Sequence, residues 1–192
     1  KNAVVRLLKR RSAGEVFARR ASLIDMLRNE GAVLRLVNAG GTGSLEASRA
    51  DHSITELAAG SGFYCPLLFD NYRDLRLQAA AFFALEVSRI PSPGRVTCLG
   101  GGYVASGAAG IEKLPQPYLP FGFSLDANEG TGEVQTPLHV PAGTRLAVGD
   151  PVIFRHAKAG ELCERFRELL LIRGNVIEAR VPTYRGQEQC FV

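Results

Sequence analysis

The chain has 192 residues, 46% of them hydrophobic, with a mean hydropathy of +0.02, enough to bury one large core or two small ones. No apolar run approaches the roughly 18 residues that cross a bilayer, and the first residues, KNAVVRLLKRRS, carry no signal-peptide core, so neither a membrane partner nor a secreted chain is expected. The formal charge of +4 is concentrated in residues 1–30, where eight Lys and Arg face three acids with no interleaved aromatic platform; this reads as a solvated or partner-facing surface, and no nucleic-acid partner is expected.

Four cysteines, Cys65, Cys98, Cys163 and Cys190, lie far apart without a C-x-x-C pair, as expected of a reduced, cytoplasmic chain. In chain order, Ser12-Ala13-Gly14-Glu15 has the form of a capping box and predicts a helix start. Val16, Arg20, Ile24 and Leu27 follow at helical spacing, and Gly31 ends the pattern. The apolar run Ala32–Val37 predicts a strand that empties into Gly40-Gly41-Thr42-Gly43-Ser44, with a helix from about Leu45. Three glycines and two hydroxyls can turn several donors toward one point, which makes this loop a candidate anion cradle; the alternative is an ordinary tight turn. No lysine follows as in a Walker A loop, and the dinucleotide fingerprint does not fit, which leaves a smaller phosphorylated ligand.

A second strand, Ile54–Ala58, ends in Gly60-Ser61-Gly62, again glycine and serine. Neighbouring parallel strands share one carboxyl rim, where α/β folds bind ligands, so the two turns reinforce each other. Pro66 predicts a helix through Leu67–Tyr72 and beyond. From about Ala81 the pattern changes to short alternating or apolar runs separated by turn residues: Phe82–Arg89, Arg95–Leu99, Phe121–Leu125, Glu133–Val140, Val152–Arg155, Leu169–Ile172 and Val176–Val181, with one helix, Ala159–Phe166. The expected organisation is an α/β portion over residues 1–80 and an antiparallel all-β domain over 81–192. Cys65 and Cys98 fall in apolar runs and read as buried fillers, and Glu129 and Glu133 belong to a turn.

The segments NAGGTGS (38–44), ITELAAGSGFY (54–64), VTCLGGGY (96–103), EGTGEVQTP (129–137), GDPVIFRHAKAGELCERF (149–166) and PTYRG (182–186) resemble, in the same order, the fold-type III pyridoxal-phosphate enzymes, the alanine-racemase-like group. The likeness is to the D-threonine aldolase and D-serine dehydratase branch, and within it to proteins described as amino-acid deaminase/aldolase. It implies the C-terminal end of a (β/α)8 barrel holding pyridoxal phosphate at its rim, followed by a β domain, usually in a homodimer. Carried over position by position, Gly41, Thr42, Gly43, Ser61, Gly62 and Tyr64 bind the cofactor phosphate. The implied activity is that of a lyase or isomerase, a deaminase, aldolase or racemase, on a small and D-configured amino acid.

Two departures follow from the same resemblance. The family's cofactor-bearing lysine lies upstream of the phosphate loops, and none of Lys1, Lys9, Lys113 and Lys158 matches it, so the N-terminal half of the same enzyme is an expected partner. Metal-assisted members have Cys or Asp two residues after a histidine. This chain reads His156-Ala157-Lys158, so no metal site is assigned and zinc is not expected, with Glu161 and Cys163 as the remaining donors near His156. His156 is a candidate acid/base or substrate contact, against a plain hydrogen-bonded core histidine. Lys158 is a candidate partner for a substrate carboxylate, and Tyr184, beside Arg185, a candidate phenol for the same group, against ordinary turn residues. The competing functional reading is a non-catalytic phosphate- or cofactor-binding or assembly module.

Overall fold

The computed structural model describes residues 3–72 and 75–189, which form two compact units, 3–63 with 69–72 and 75–77, and 64–68 with 78–189.

The first unit opens with α1, Ala3–Asn29. The helix runs straight through Ser12, so Ser12 caps nothing; the Leu- and Arg-rich residues before it are good helix formers, and Glu15 pairs instead with Arg19 one turn on, at 2.5 Å. Its C-terminus is as expected: Gly31 has φ +88°, its N–H donates to the Arg28 carbonyl at 2.9 Å, and the Ala32 N–H donates to the Leu27 carbonyl at 2.9 Å, a Schellman ending. Of the periodic positions only Ile24 is buried; Val16 and Leu27 are exposed, as are Leu7, Leu23 and Met26 off that pattern.

The strand expected over Ala32–Val37 is displaced. The paired residues are β1, Asn38–Ala39, and the upstream run stays irregular with Val33 and Leu36 exposed. A strand needs a ladder, and among the described residues β1 has one neighbour, β2 (Glu56–Leu57), which reaches back only as far as the Val37 carbonyl. The β1–β2 pair is parallel, as predicted. After β1 come a 3-10 turn, Thr42–Ser44, and α2, Leu45–Ser48; after β2 comes a second 3-10 turn, Gly60–Phe63. The helix expected from Leu67 is a 3-10 segment, Leu67–Asn71; its continuation at 73–74 lies outside the described residues.

Asp51 ties α1 to the turn after α2. Its buried carboxylate accepts from the Arg20 guanidinium and, at 2.9 and 2.6 Å, from the Ser53 N–H and hydroxyl. Burial pushes this carboxyl up, but the Ser53 hydrogen bonds and the Arg20 charge outweigh it and hold the pKa below the usual 3.8.

The second unit is a six-stranded antiparallel sheet in the order β5-β8-β3-β4-β7-β6, built from β3 (Phe82–Ser92), β4 (Arg95–Leu99), β5 (Gln116–Leu119), β6 (Ser124–Leu125), β7 (Gln135–His139) and β8 (Pro151–Arg155). A separate hairpin pairs β9 (Glu168–Arg173) with β10 (Val176–Pro182), and α3, Ala159–Arg165, follows β8. Every predicted run contains a strand. The extra one, β5, sits on an edge and carries Pro117 between Pro115 and Pro120, which hides it from pattern reading and also confines it to an edge.

Alternation sets the core. Phe83, Leu85 and Val87 of β3 point inward against Val96 and Cys98 of β4, Leu138 of β7, Val152 and Phe154 of β8, and Leu162 of α3. Phe83 stacks on Phe154 with centroids 5.5 Å apart and meets Tyr103 edge-on at 5.1 Å. Cys98 is fully buried, and burial pushes its thiol up to about 11, so it fills space and does not react; Cys65 is buried as well. Among the described residues no helix is long and apolar enough to cross a membrane.

Candidate functional site

Two groups of side chains, one in each unit, carry the predicted chemistry. In the first unit the two glycine turns leave the carboxyl ends of adjacent parallel strands, β1 and β2, and are joined by their hydroxyls: Thr42 Oγ1 lies 3.1 Å from Ser61 Oγ. Thr42 is 5% exposed. A hydroxyl pair shares one proton and keeps a second to donate, so the pair retains a donor for an anion.

Backbone donors add to it. The first bonded amide of one turn is that of Ser44, to the Gly41 carbonyl at 2.9 Å, and of the other that of Gly62, to the Ala59 carbonyl at 2.9 Å; the amides of Thr42 and Gly43, and of Gly60 and Ser61, precede these bonds. The glycines divide into two kinds. A Cβ on Gly62 would come within 3.2 Å of the Thr42 methyl, and one on Gly43 within 2.9 Å of the Tyr72 hydroxyl, so both positions are set by close approach. A Cβ on Gly41 or Gly60 meets nothing within 4 Å, which leaves open space beside the donors. Neutral donors, two hydroxyls and open space fit a phosphate ester. Tyr72 is the member sequence reading missed; its ring carries Lys9 at 4.8 Å, and nothing in the pattern of Leu67–Tyr72 marks it as a neighbour of Gly43.

In the second unit, β8 delivers Arg155 and His156 beneath the segment Tyr64–Leu68. The Arg155 guanidinium donates to the Cys65 carbonyl at 2.8 and 3.0 Å, and the Leu67 N–H donates to the His156 carbonyl at 3.1 Å. His156 is 3% exposed. Its Nδ1 lies 3.1 Å from the Ala81 carbonyl, which can only accept, so Nδ1 carries the proton and Nε2 the lone pair. Nε2 is buried and has no partner among the described residues. Burial lowers this imidazole to about 4, with the Arg155 charge acting in the same direction against the Ala81 hydrogen bond and Glu161; near neutral pH it is an uncharged acceptor.

Tyr64 stands edge-on to His156 with centroids 6.4 Å apart, and burial and the neighbouring Cys163 thiol raise its phenol above 10. The Tyr184 phenol, raised by burial and then by Cys163, Glu164 and Glu161, donates to the Gly160 carbonyl at 2.6 Å. Lys158 Nζ donates to the Ser106 carbonyl at 2.8 Å and lies 3.2 Å from its hydroxyl, while Glu161 accepts the Ser106 N–H at 2.6 Å; together they hold the loop at Ser106. His156, Lys158, Tyr184 and Tyr64 thus belong to the second unit, and Gly41, Thr42, Gly43, Ser61 and Gly62 to the first. Lys1 lies outside the described residues. No group of three or more His, Cys, Asp or Glu side chains among the described residues is arranged to hold a metal ion.

Compared with protein-family models and with curated proteins, the sequence matches none. Among solved structures it is similar to D-threonine aldolase from Filomicrobium marinum, with a TM-score of 0.74 at 18% identity over 91% of this chain and 48% of that one. The chain therefore has the fold of a part of D-threonine aldolase and spans about half the length of that protein. This agrees with the sequence resemblance, and an α/β portion followed by an antiparallel β domain is the architecture observed.

Proposed function

We propose that this chain is the phosphate-gripping part of a pyridoxal-phosphate-dependent lyase or isomerase acting on a small, D-configured amino acid. The observation that carries the reading is the Thr42–Ser61 hydroxyl pair, which joins the glycine turns at the carboxyl ends of two adjacent parallel strands. The likeness to D-threonine aldolase supports the same cofactor class.

When bound, pyridoxal phosphate supplies an electron sink for breaking a bond to the amino acid's α-carbon. Thr42, Ser61 and the amides of Thr42, Gly43, Gly60 and Ser61 would hold its phosphate, and Gly43 and Gly62 keep the turns close. His156, in the second unit, is the acid/base candidate: its tautomer is set by Ala81 and its neutrality by burial, which leaves Nε2 an uncharged proton acceptor. Lys158, which keeps one ammonium hydrogen beyond its two contacts with Ser106, is assigned to the substrate carboxylate, whereas the Tyr184 phenol gives its one hydrogen to the Gly160 carbonyl and is not assigned to the substrate. Leu7, Leu23 and Met26 of α1 are exposed, and this apolar surface is the one we assign to the portion of the enzyme that carries the cofactor's lysine; a cytoplasmic homodimer is the assembly proposed.

Cofactor binding to the intact protein tests the reading. Titration with pyridoxal phosphate should show saturable binding that inorganic phosphate competes with, weakened roughly tenfold by Thr42→Val or Ser61→Ala, the loss of one charge-assisted donor. His156→Gln should leave that affinity intact and abolish turnover of D-amino acids. Cofactor affinity indifferent to both Thr42 and Ser61 would overturn the assignment.

A further inference from the structure

After β10 the chain turns through Thr183-Tyr184-Arg185-Gly186, and this turn is fastened to the backbone that leads into β9. The buried Thr183 hydroxyl donates to the Phe166 carbonyl, the Thr183 N–H donates to the Arg167 carbonyl at 3.0 Å, and the Gly186 N–H donates to Thr183 Oγ1 at 3.2 Å. A Cβ on Gly186 would lie 1.9 Å from the Arg167 carbonyl oxygen, so a larger residue there forces the two backbones apart. Further bonds, Gln187 N–H to the Thr183 carbonyl at 3.0 Å and Gln189 N–H to the Tyr184 carbonyl at 2.9 Å, close the turn on itself.

This junction places Arg185 beside Arg165 and Arg167. With Glu188 and Gln189 they line one half-open cavity of about 650 Å³. Among the described residues lining it, three guanidiniums meet a single carboxylate: Glu188 lies 3.7 Å from Arg167, and both are exposed, so the pair is weak. Arg165 and Arg185 have no ion pair among the described residues. Exposed guanidiniums repel one another only weakly in water, and an anion among them is attracted by all three. The guanidinium fork matches the paired oxygens of phosphate and carboxylate, and the volume is that of a small-ligand pocket, larger than one inorganic ion requires.

We propose that the Arg165–Arg167–Arg185 cavity binds a small, multiply charged oxyanion bearing phosphate or carboxylate groups. The test is calorimetric titration of the intact protein, free of pyridoxal phosphate, with sodium tripolyphosphate and with citrate at constant ionic strength. Saturable binding is expected, tighter for tripolyphosphate if the natural ligand is a phosphate and for citrate if it is a carboxylate. The Arg167→Gln/Arg185→Gln pair should weaken it at least roughly tenfold, and Glu188→Gln, which removes the competing carboxylate, should tighten it about threefold. The glutamine variants change exposed side chains and keep Gly186 and Thr183, and Glu188→Gln reads the opposite sign should the double variant melt early. No saturation with either anion, or affinity unchanged in both variants, would overturn the proposal.

Discussion

The two units are held together by different physics. The second has its own apolar core, with Val87, Cys98, Val152 and Phe154 fully buried and four aromatic rings in mutual contact. The first buries Ile24 and Phe69 but also Thr42, Ser48 and Asp51, and its strands are two residues long. Its order comes from polar ties: Arg20 to Asp51, Asp51 to Ser53, Thr42 to Ser61. A phosphate grip must present backbone donors and hydroxyls, and a segment rich in those groups has little apolar surface left to bury. The β domain has no such obligation and is packed accordingly.

That contrast predicts a graded set of effects. The largest is in the core: Phe154→Ala should cost about 3–5 kcal/mol, read as early exchange of β3, β4 and β8 amides by hydrogen–deuterium exchange, with β1 and β2 exchanging as before. If the β1–β2 amides are lost in step with them, the two units do not have separate stabilities. Next is acid. His156 titrates near 4 when folded and 6.5 when unfolded, so the unfolded state binds the extra proton between those values. Its contribution is intact above pH 6.5 and is lost as pH falls toward 4, by about 3 kcal/mol. His156→Gln should flatten the stability profile in that window.

The Asp51 carboxyl is lowered below 3.8, so its stabilisation of the first unit is present above 3.8 and lost only at more acid pH. Asp51→Ala should cost about 2 kcal/mol at neutral pH and remove the α1 tie, seen as faster exchange around Arg20 and Ser53. A cost confined to the second unit would contradict the division. Ser61→Ala should cost about 1 kcal/mol in stability, with its principal effect on cofactor affinity. Arg19→Ala, which breaks an exposed pair on α1, should change stability by less than about 0.5 kcal/mol.

Much of the β domain is legible because alternation is a local signal. Phe82–Arg89 reads as a half-buried strand before any partner is known, and β3 buries the inward set. The glycine turns are legible for the same reason, since φ > 0 and close approach are written in residue type. The misses share a cause. Ser12 has the capping-box form, but the residues before it continue the helix. Ala32–Val37 has strand character, yet no strand among the described residues offers it a ladder. β5 is disguised by prolines that an edge position tolerates. For the two strands the deciding factor is a neighbour distant in sequence, whereas at Ser12 it is the helix-forming run just before it, which outweighs the capping pattern.

The sequence by itself determined the order of elements, the two glycine and hydroxyl turns and the presence of His156, because period, turn chemistry and composition act over a few residues. Only the tertiary structure decided which nitrogen of His156 is bare, that Thr42 and Ser61 share a proton, that Lys158 and Glu161 clasp the loop at Ser106, and that Arg165, Arg167 and Arg185 converge. Those outcomes depend on distances between residues 19 to 75 positions apart or on backbone junctions such as Gly186 against Arg167, and no local pattern encodes such a distance.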